Sequence, residues 1–397
     1  MQQAVISVAA LTDIGRRRRT NQDSWLAERG VYMVCDGMGG ESGGERASAI
    51  AVEDLAQLAR EASRTRASIE ETLERAQSRT RALGLTLGGI AGTTVTGVVL
   101  PQWFAAAGGS AGAADRGVAD GSEDEDVATA DELECGRADG ATHFADAHRK
   151  PTTTHHPKHS AQYNAIATLG AIDELRPLSG FGDDWDATQP GTDLGGGTDT
   201  ARFGEHRADV APDAWSIAIR QLLPDTEPHM CYVVNVGDSR TYHMSPDTDG
   251  HWDAASLTQI THDHSRRQEA IESGEMTPEE AERSIARNVI TQCVGSPMGI
   301  RPDFFMADAA GRFIICSDGC HGEIDDATIA HVAAQHDTAD AAAHALIDAS
   351  LEAGGGDNVT VIVVDMPWDA ERTEAWHCER LEVDEDLSDI DDATLQT

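Results

Sequence analysis

Three apolar runs in this chain each break into an aspartate beside glycine. Val31-Tyr32-Met33-Val34-Cys35 ends in Asp36-Gly37, and Gly39, Gly40 and Gly43 follow closely. Phe313-Ile314-Ile315-Cys316 runs into Ser317-Asp318-Gly319. Gly354-Gly355-Gly356 leads to Asp357-Asn358, and then a β-branched run from Val359 to Val364. Apolar runs of this length, bounded by glycine, read as buried strands. A lone Asp-Gly is ordinary turn chemistry. Three strand ends carrying carboxylates to one sheet edge are different, because the carboxylates repel unless a cation lies between them. An oxygen-only donor set of this kind suits Mg²⁺ or Mn²⁺ rather than zinc.

The chain has 397 residues and a formal net charge of −39. That charge argues against nucleic acid and anionic membranes as partners. Seven cysteines are scattered without a CxxC pair, which suits a reducing cytoplasm better than a disulfide framework. Cys316 and Cys320 flank Asp318, and read as buried small apolar residues. No apolar run is long enough to span a bilayer, and no signal-peptide pattern opens the chain. The expected location is cytoplasmic.

In chain order, residues 4–11 form a strand at or near a sheet edge. Arg16-Arg17-Arg18-Arg19 follows, just before Asn21-Gln22-Asp23. A planar guanidinium gives phosphate two parallel charge-assisted bonds, so one of these arginines is expected to enter an anion site. Helices are expected over 45–58 and 65–83, and a strand over 92–100. From about 101 to 212 Gly, Ala, Asp, Thr and His dominate, and a long, largely disordered insertion is expected. Its histidines, among them His155, His156 and His159, read as part of a solvated polar tract. Cys231 to Val236 is a strand ending in Gly237-Asp238-Ser239-Arg240, with 241–244 expected as the return strand of a hairpin. His262 and His264 are assigned surface or capping roles. Residues 266–290 are helical with a break near Gly274 and Pro278, and 327–351 are helical. The segment 367–397 is expected to be an acidic, disordered tail. Hairpins outnumber regular βαβ units, which favours antiparallel sheets with helices on their outer faces, an α+β fold.

The ordered motifs resemble the metal-dependent protein phosphatases (protein phosphatase 2C, PPM-type), in particular the bacterial branch. The matching stretches are Gly15-x-x-Arg18-x-x-x-Gln22-Asp23, Val34-Cys35-Asp36-Gly37-Met38-Gly39-Gly40, Gly92-Thr93-Thr94, Asn235-Val236-Gly237-Asp238-Ser239-Arg240, Asn288-Val289-Ile290-Thr291, Cys316-Ser317-Asp318-Gly319 and Gly356-Asp357-Asn358-Val359-Thr360. They come in the family's order and cover residues 4–365 apart from the insertion.

The resemblance implies a four-layer α-β-β-α sandwich over 1–366, two antiparallel β-sheets flanked by antiparallel helices, with two Mg²⁺ or Mn²⁺ ions at one end. By position, Asp36 bridges both metals and the Gly37 carbonyl binds one. Asp318 and Asp357 hold the other, Asp23 orients metal-bound water, and Arg18 binds the phosphate. The implied activity is hydrolysis of phosphoserine and phosphothreonine by a metal-activated water. The implied partners are phosphorylated proteins, substrates of a bacterial Ser/Thr kinase, and the expected state is a monomer. Cys316 and Cys320 have no catalytic part in this chemistry. A pseudophosphatase or phosphoprotein-binding regulator on the same fold is the alternative. Met38 stands where some relatives have a histidine acid, and Gln22 where many have Glu. Many relatives also carry an Asp four residues after the position of Asp318, for a third ion. Here that position is Gly322, and Glu323 in an extended chain points the other way. A third ion is therefore expected to be weak or absent, with Asp238 capping its own hairpin turn.

Overall fold

The computed structural model describes residues 5–103, 165–166, 215–222, 230–369, 371–383 and 385–387. The expected insertion over 101–212 lies outside these except for 101–103 and 165–166.

The described strands form two large sheets. From edge to edge, the first sheet is Thr258–Gln259, Arg240–Met244, Gly311–Cys316, Val359–Met366, Val5–Asp13 and Trp215–Leu222. The second is Cys378–Arg380, Asp303–Asp308, Met230–Val236, Val95–Val99, Val31–Cys35, Ser24–Glu28 and Ala165–Ile166. All pairings are antiparallel except that of Ser24–Glu28 with the short Ala165–Ile166. Among the described residues seven α-helices follow in chain order: α1 (Gly40–Leu58), α2 (Arg66–Leu87), α3 (Arg266–Glu272), α4 (Pro278–Ser284), α5 (Asp318–His321), α6 (Asp326–Ala334) and α7 (Ala339–Ala353).

The continuous apolar runs are explained by burial on both faces. In Val31–Cys35, Tyr32 and Val34 join a core shared with Ile6, Val8, Phe313, Ile315, Ile362 and Val364 of the other sheet. Val31, Met33 and Cys35 point the opposite way, into a core with Leu55 of α1 and Ile69 and Leu73 of α2. In the first sheet Ile314, Val361 and Val363 pack on Ile329 of α6 and on Ala343 and Leu346 of α7. The result is helices, sheet, sheet, helices: the expected α+β sandwich.

Several local readings change. The 327–351 helix is two, because the chain leaves helix after Ala334 and Thr338 starts α7, its hydroxyl accepting from the Ala341 backbone. The 266–290 segment is helical only in α3 and α4. The expected hairpin at Gly237-Asp238-Ser239-Arg240 is absent. Met230–Val236 already has neighbours on both sides, Val95–Val99 and Asp303–Asp308, whereas Arg240–Met244 pairs in the other sheet. The turn is therefore a crossing between layers. Gly237 has φ 113 and its missing Cβ leaves room for the Thr94 side chain. Ser239 and Thr241 hydroxyls then bond those of Thr94 and Thr96, at 2.7 and 3.1 Å, which ties the start of the new strand to the sheet just left.

The segment after Pro367 is not a loose tail as far as Leu387. Cys378–Arg380 pairs with Asp303–Asp308. Beyond it Asp386 accepts from the Arg66 backbone at the start of α2 (2.9 Å) and from the Tyr232 hydroxyl (2.5 Å). Residues 388–397 lie outside the described residues. Asp386→Ala should leave both donors short of an acceptor and lower stability by about 1–3 kcal/mol. Urea unfolding measures this; a variant as stable as the wild type would show that the segment merely rests on α2.

Candidate metal centre

Strand register alone brings the acidic positions together. Cys35 pairs with Ser24, so Asp36 and Asp23 leave one end of the second sheet side by side. Val236 pairs with Val95, which puts the crossing turn and Asp238 at that same end. In the first sheet Cys316 pairs with Val361 and Arg240, and Asp13 with Val359, so Asp318 and Asp357 emerge beside the crossing turn.

Hydrogen bonds then lock the two sheets here. Asp23 is buried, and its Oδ2 accepts from Ser317 Oγ (2.8 Å) and Thr360 Oγ1 (2.7 Å) of the opposite sheet. Asn358 holds the arginine-rich loop: its Oδ1 accepts from the Gln22 backbone (2.8 Å), and its Nδ2 donates to the carbonyls of Ile14 (2.9 Å) and Thr20 (3.0 Å). All four arginines of that loop are exposed, and Arg18 reaches inward to pair with Asp357. Gly37 is pressed between chains. A Cβ there would collide with the carbonyl oxygens of Gly44 and Gln22, so only glycine lets the Asp36–Gly37 turn and the start of α1 pack so closely.

The electrostatics follow from burial and like charge. Burial pushes Asp36 well above the usual carboxylate range, and Asp23, Asp318, Asp238 and Asp357 add to the effect. Asp318 is raised by burial and by Asp357, with Arg287, a hydrogen bond to Asp36 and Arg18 pulling it back. Asp23 is pushed up to about 7 by burial, against the two hydroxyl bonds that favour its anion. Asp238, also buried, is pushed up to about 7 by burial and then by Asp318 and Asp263.

Among the described residues no three His, Cys, Asp or Glu side chains are gathered tightly enough to grip an ion. Unneutralised carboxylates repel, and Asp357 is taken up by Arg18. The donor chemistry nonetheless fits a hard divalent cation. The groups are all oxygens, they mutually repel, and they sit at one enclosed strand edge where a positive charge would relieve each of them.

The structure brings Arg18, Asp23, Asp36, Gly37, Asp318 and Asp357 to one place. It also changes the place of Asp238 and adds residues that hold the acids. Asp238 does not cap a hairpin; it faces the other carboxylates from the crossing turn. The signal was present, since it too is an aspartate beside glycine at the end of an apolar run. Ser317, Thr360 and Asn358 hold the acids and the arginine loop. His264 is buried and structural: its Nδ1 accepts from the Gly237 backbone (3.1 Å) and its Nε2 lies 3.2 Å from Asp303. His262 is exposed and pairs with Glu272. Cys316 and Cys320 are fully buried. Glu323 turns away from Asp238, its Oε1 accepting from the Gly356 backbone (3.0 Å). The reason is the short helix α5 rather than an extended chain.

No family model matches the chain. In sequence it is 37% identical over 136 residues to the serine/threonine protein phosphatase PstP of Mycobacterium tuberculosis, a match spanning 34% of this chain and 24% of PstP. It is 34% identical over 110 residues to the protein phosphatase PhpP of Streptococcus pneumoniae, 27% of this chain and 45% of that protein. In structure it matches the M. tuberculosis PstP phosphatase with a TM-score of 0.54 at 21% identity, over 92% of this chain and all of that one. The chain has the fold of the PPM-type protein phosphatases. PppA of Pseudomonas aeruginosa matches with a TM-score of 0.52 at 16% identity, over 92% of this chain and 99% of that one, and shares the PPM fold. The sequence matches span 24% and 45% of the length of these two curated relatives.

The raised carboxyls make a prediction for the metal-free protein. An aspartate with an ordinary value of 3.8 that is held near 7 in the fold keeps its proton there. The folded state is then favoured below about pH 4, and that stabilisation is lost as pH rises through about 7. In chelator the melting temperature should fall from about pH 5 to about pH 8, and Asp238→Asn, which cannot ionise, should fall less. Parallel slopes for the two proteins would contradict this placement of Asp238.

Proposed function

We propose that this chain is a metal-dependent protein serine/threonine phosphatase that hydrolyses phosphoserine and phosphothreonine in phosphorylated proteins. The observation that carries this reading is the cluster of Asp36, Asp318 and Asp357 with Arg18 beside them, on a PPM fold. In this reading Asp36 and the Gly37 carbonyl would hold one ion, and Asp36, Asp318 and Asp357 a second. The PstP catalytic domain was solved in complex with two manganese ions, which is why two are proposed here. A bound Mg²⁺ or Mn²⁺ pair supplies Lewis-acid activation of water and neutralises phosphoryl charge.

The chain's own residues do the rest. Asp23, fixed by Ser317 and Thr360, would hold and orient water at the metal site. Arg18 holds Asp357 in this state. Its exposed guanidinium is free to turn and bind the phosphoryl oxygens once cations neutralise that carboxylate. The Cys316 and Cys320 thiols are sealed from solvent and take no part. Met38 offers no proton, so water or another group must protonate the leaving serine or threonine oxygen.

Substrates of a bacterial Ser/Thr kinase are the proposed partners, with the chain acting as a monomer. Among the described residues no helix is long and apolar enough to cross a membrane.

Phosphate release from phosphoserine, phosphothreonine and phosphotyrosine peptides, in Mn²⁺ and in EDTA, tests the reading. Turnover should require Mn²⁺ or Mg²⁺ and favour the first two peptides. Asp36→Asn and Asp318→Asn should lower kcat by at least roughly 10²–10³-fold, as expected for losing a preorganised electrostatic contact, with the fold intact by circular dichroism. Undiminished turnover in EDTA, or in either variant, would reject the metal mechanism.

A further inference from the structure

Arg287 belongs to the excursion between His264 and Thr291 that carries α3 and α4. Both ends of that excursion are anchored at the site. The His264 backbone donates to the Gly237 carbonyl (2.9 Å), and the Thr291 backbone donates to the His264 carbonyl (2.8 Å). Ser265 and Ile290 close the base with a β-bridge. After α4 the Ile285 carbonyl is held by Arg267 Nη2 at 2.8 Å. From there Arg287 reaches α5, and its Nη1 donates to the Gly322 carbonyl.

Gly322 lies four residues after Asp318 and closes α5. Its angles, φ −93 and ψ −20, are ordinary right-handed helix, so glycine is not needed for the backbone. What glycine provides is room. A Cβ at Gly322 would overlap Nη2 and Cζ of Arg287. A guanidinium thus occupies the place where any other residue would put its side chain. Its charge acts on Asp318, and Arg18 acts on the same carboxyl. Glu323 cannot serve this flank, because it is committed to Gly356. Asp238 and Asp318 therefore have no further carboxylate from α5 beside them, and have the Arg287 cation nearby instead.

We propose that Arg287 is a positioning residue that fills the gap left by Gly322 and acts as a fixed cation on that flank of Asp318, taking the place of a further metal ion. This rests on the two-metal reading above. The guanidinium steadies the Asp318 carboxylate and couples the α3–α4 excursion to the site, and its charge keeps an additional divalent ion out.

Calorimetric Mn²⁺ titration of the wild type, Arg287→Ala and Arg287→Lys tests the charge. The wild type and R287K should take up the same number of ions. R287A should take up one more, bound roughly tenfold or more tightly than any extra ion on the wild type, because a like charge has been removed. Identical isotherms for the wild type and R287A would overturn the proposal, as would R287K behaving like R287A. Thermal melts in EDTA test the contact without any metal. Gly322→Ala should lower the melting temperature of the wild type more than that of R287A. A Cβ at Gly322 also crowds the Asp318 carbonyl, but that penalty is common to both backgrounds. Equal losses would overturn the contact. A wild type that binds no Mn²⁺ would defeat the two-metal reading and the cation role with it, while the melts still report separately on the contact.

Discussion

The structure depends on mutual repulsion among aspartates brought to one end of a double sheet. Asp23, Asp238, Asp318 and Asp357 all act on Asp36 there, and burial pushes Asp23, Asp36, Asp238 and Asp318 towards the protonated form. Burying such groups without a counter-charge opposes folding. The fold tolerates them because each has limited relief: hydroxyl donors for Asp23, Arg18 for Asp357, and Arg287 with Arg18 for Asp318. A divalent cation would relieve most of them at once, which links stability, metal affinity and chemistry in one place.

The sandwich makes this concentration possible. Antiparallel pairing returns strand ends to the same edge, and the crossing at Gly237 to Ser239 aligns the edges of the two sheets. Each sheet has apolar side chains on both faces, so the layers are held by Val, Ile and Phe. The polar ends can then be specialised without weakening the core. Asp23 bridges the layers at that edge, since its two hydroxyl partners come from the opposite sheet.

Much of this was legible in the sequence. The strands at 31–35, 311–316 and 359–366 announced themselves by apolar runs that break at Asp and Gly, because both of their faces are buried. The family resemblance singled out Arg18, Asp23, Asp36, Gly37, Asp318 and Asp357, and the folded chain gathers these positions at one end of the double sheet. What sequence spacing could not supply was sheet membership. Arg240–Met244 follows Met230–Val236 so closely that a hairpin was the natural reading, and only the prior engagement of Met230–Val236 on both sides sends the chain to the other layer. That error placed Asp238 in a turn rather than in the cluster. Arg287 escaped notice for a similar reason: nothing in a sequence shows that an arginine will fill the space beside a glycine 35 residues away. The segment to Leu387 was read from its acidity, whereas Asp386 is held by two specific donors.

The most direct measurement is anomalous diffraction at the manganese edge from crystals grown with Mn²⁺. The account predicts two strong peaks bridged by the Asp36 carboxylate, one against the Gly37 carbonyl and one against Asp318 and Asp357, with Arg18 released from Asp357. No peak between these carboxylates, or manganese bound elsewhere while Arg18 still holds Asp357, would contradict it.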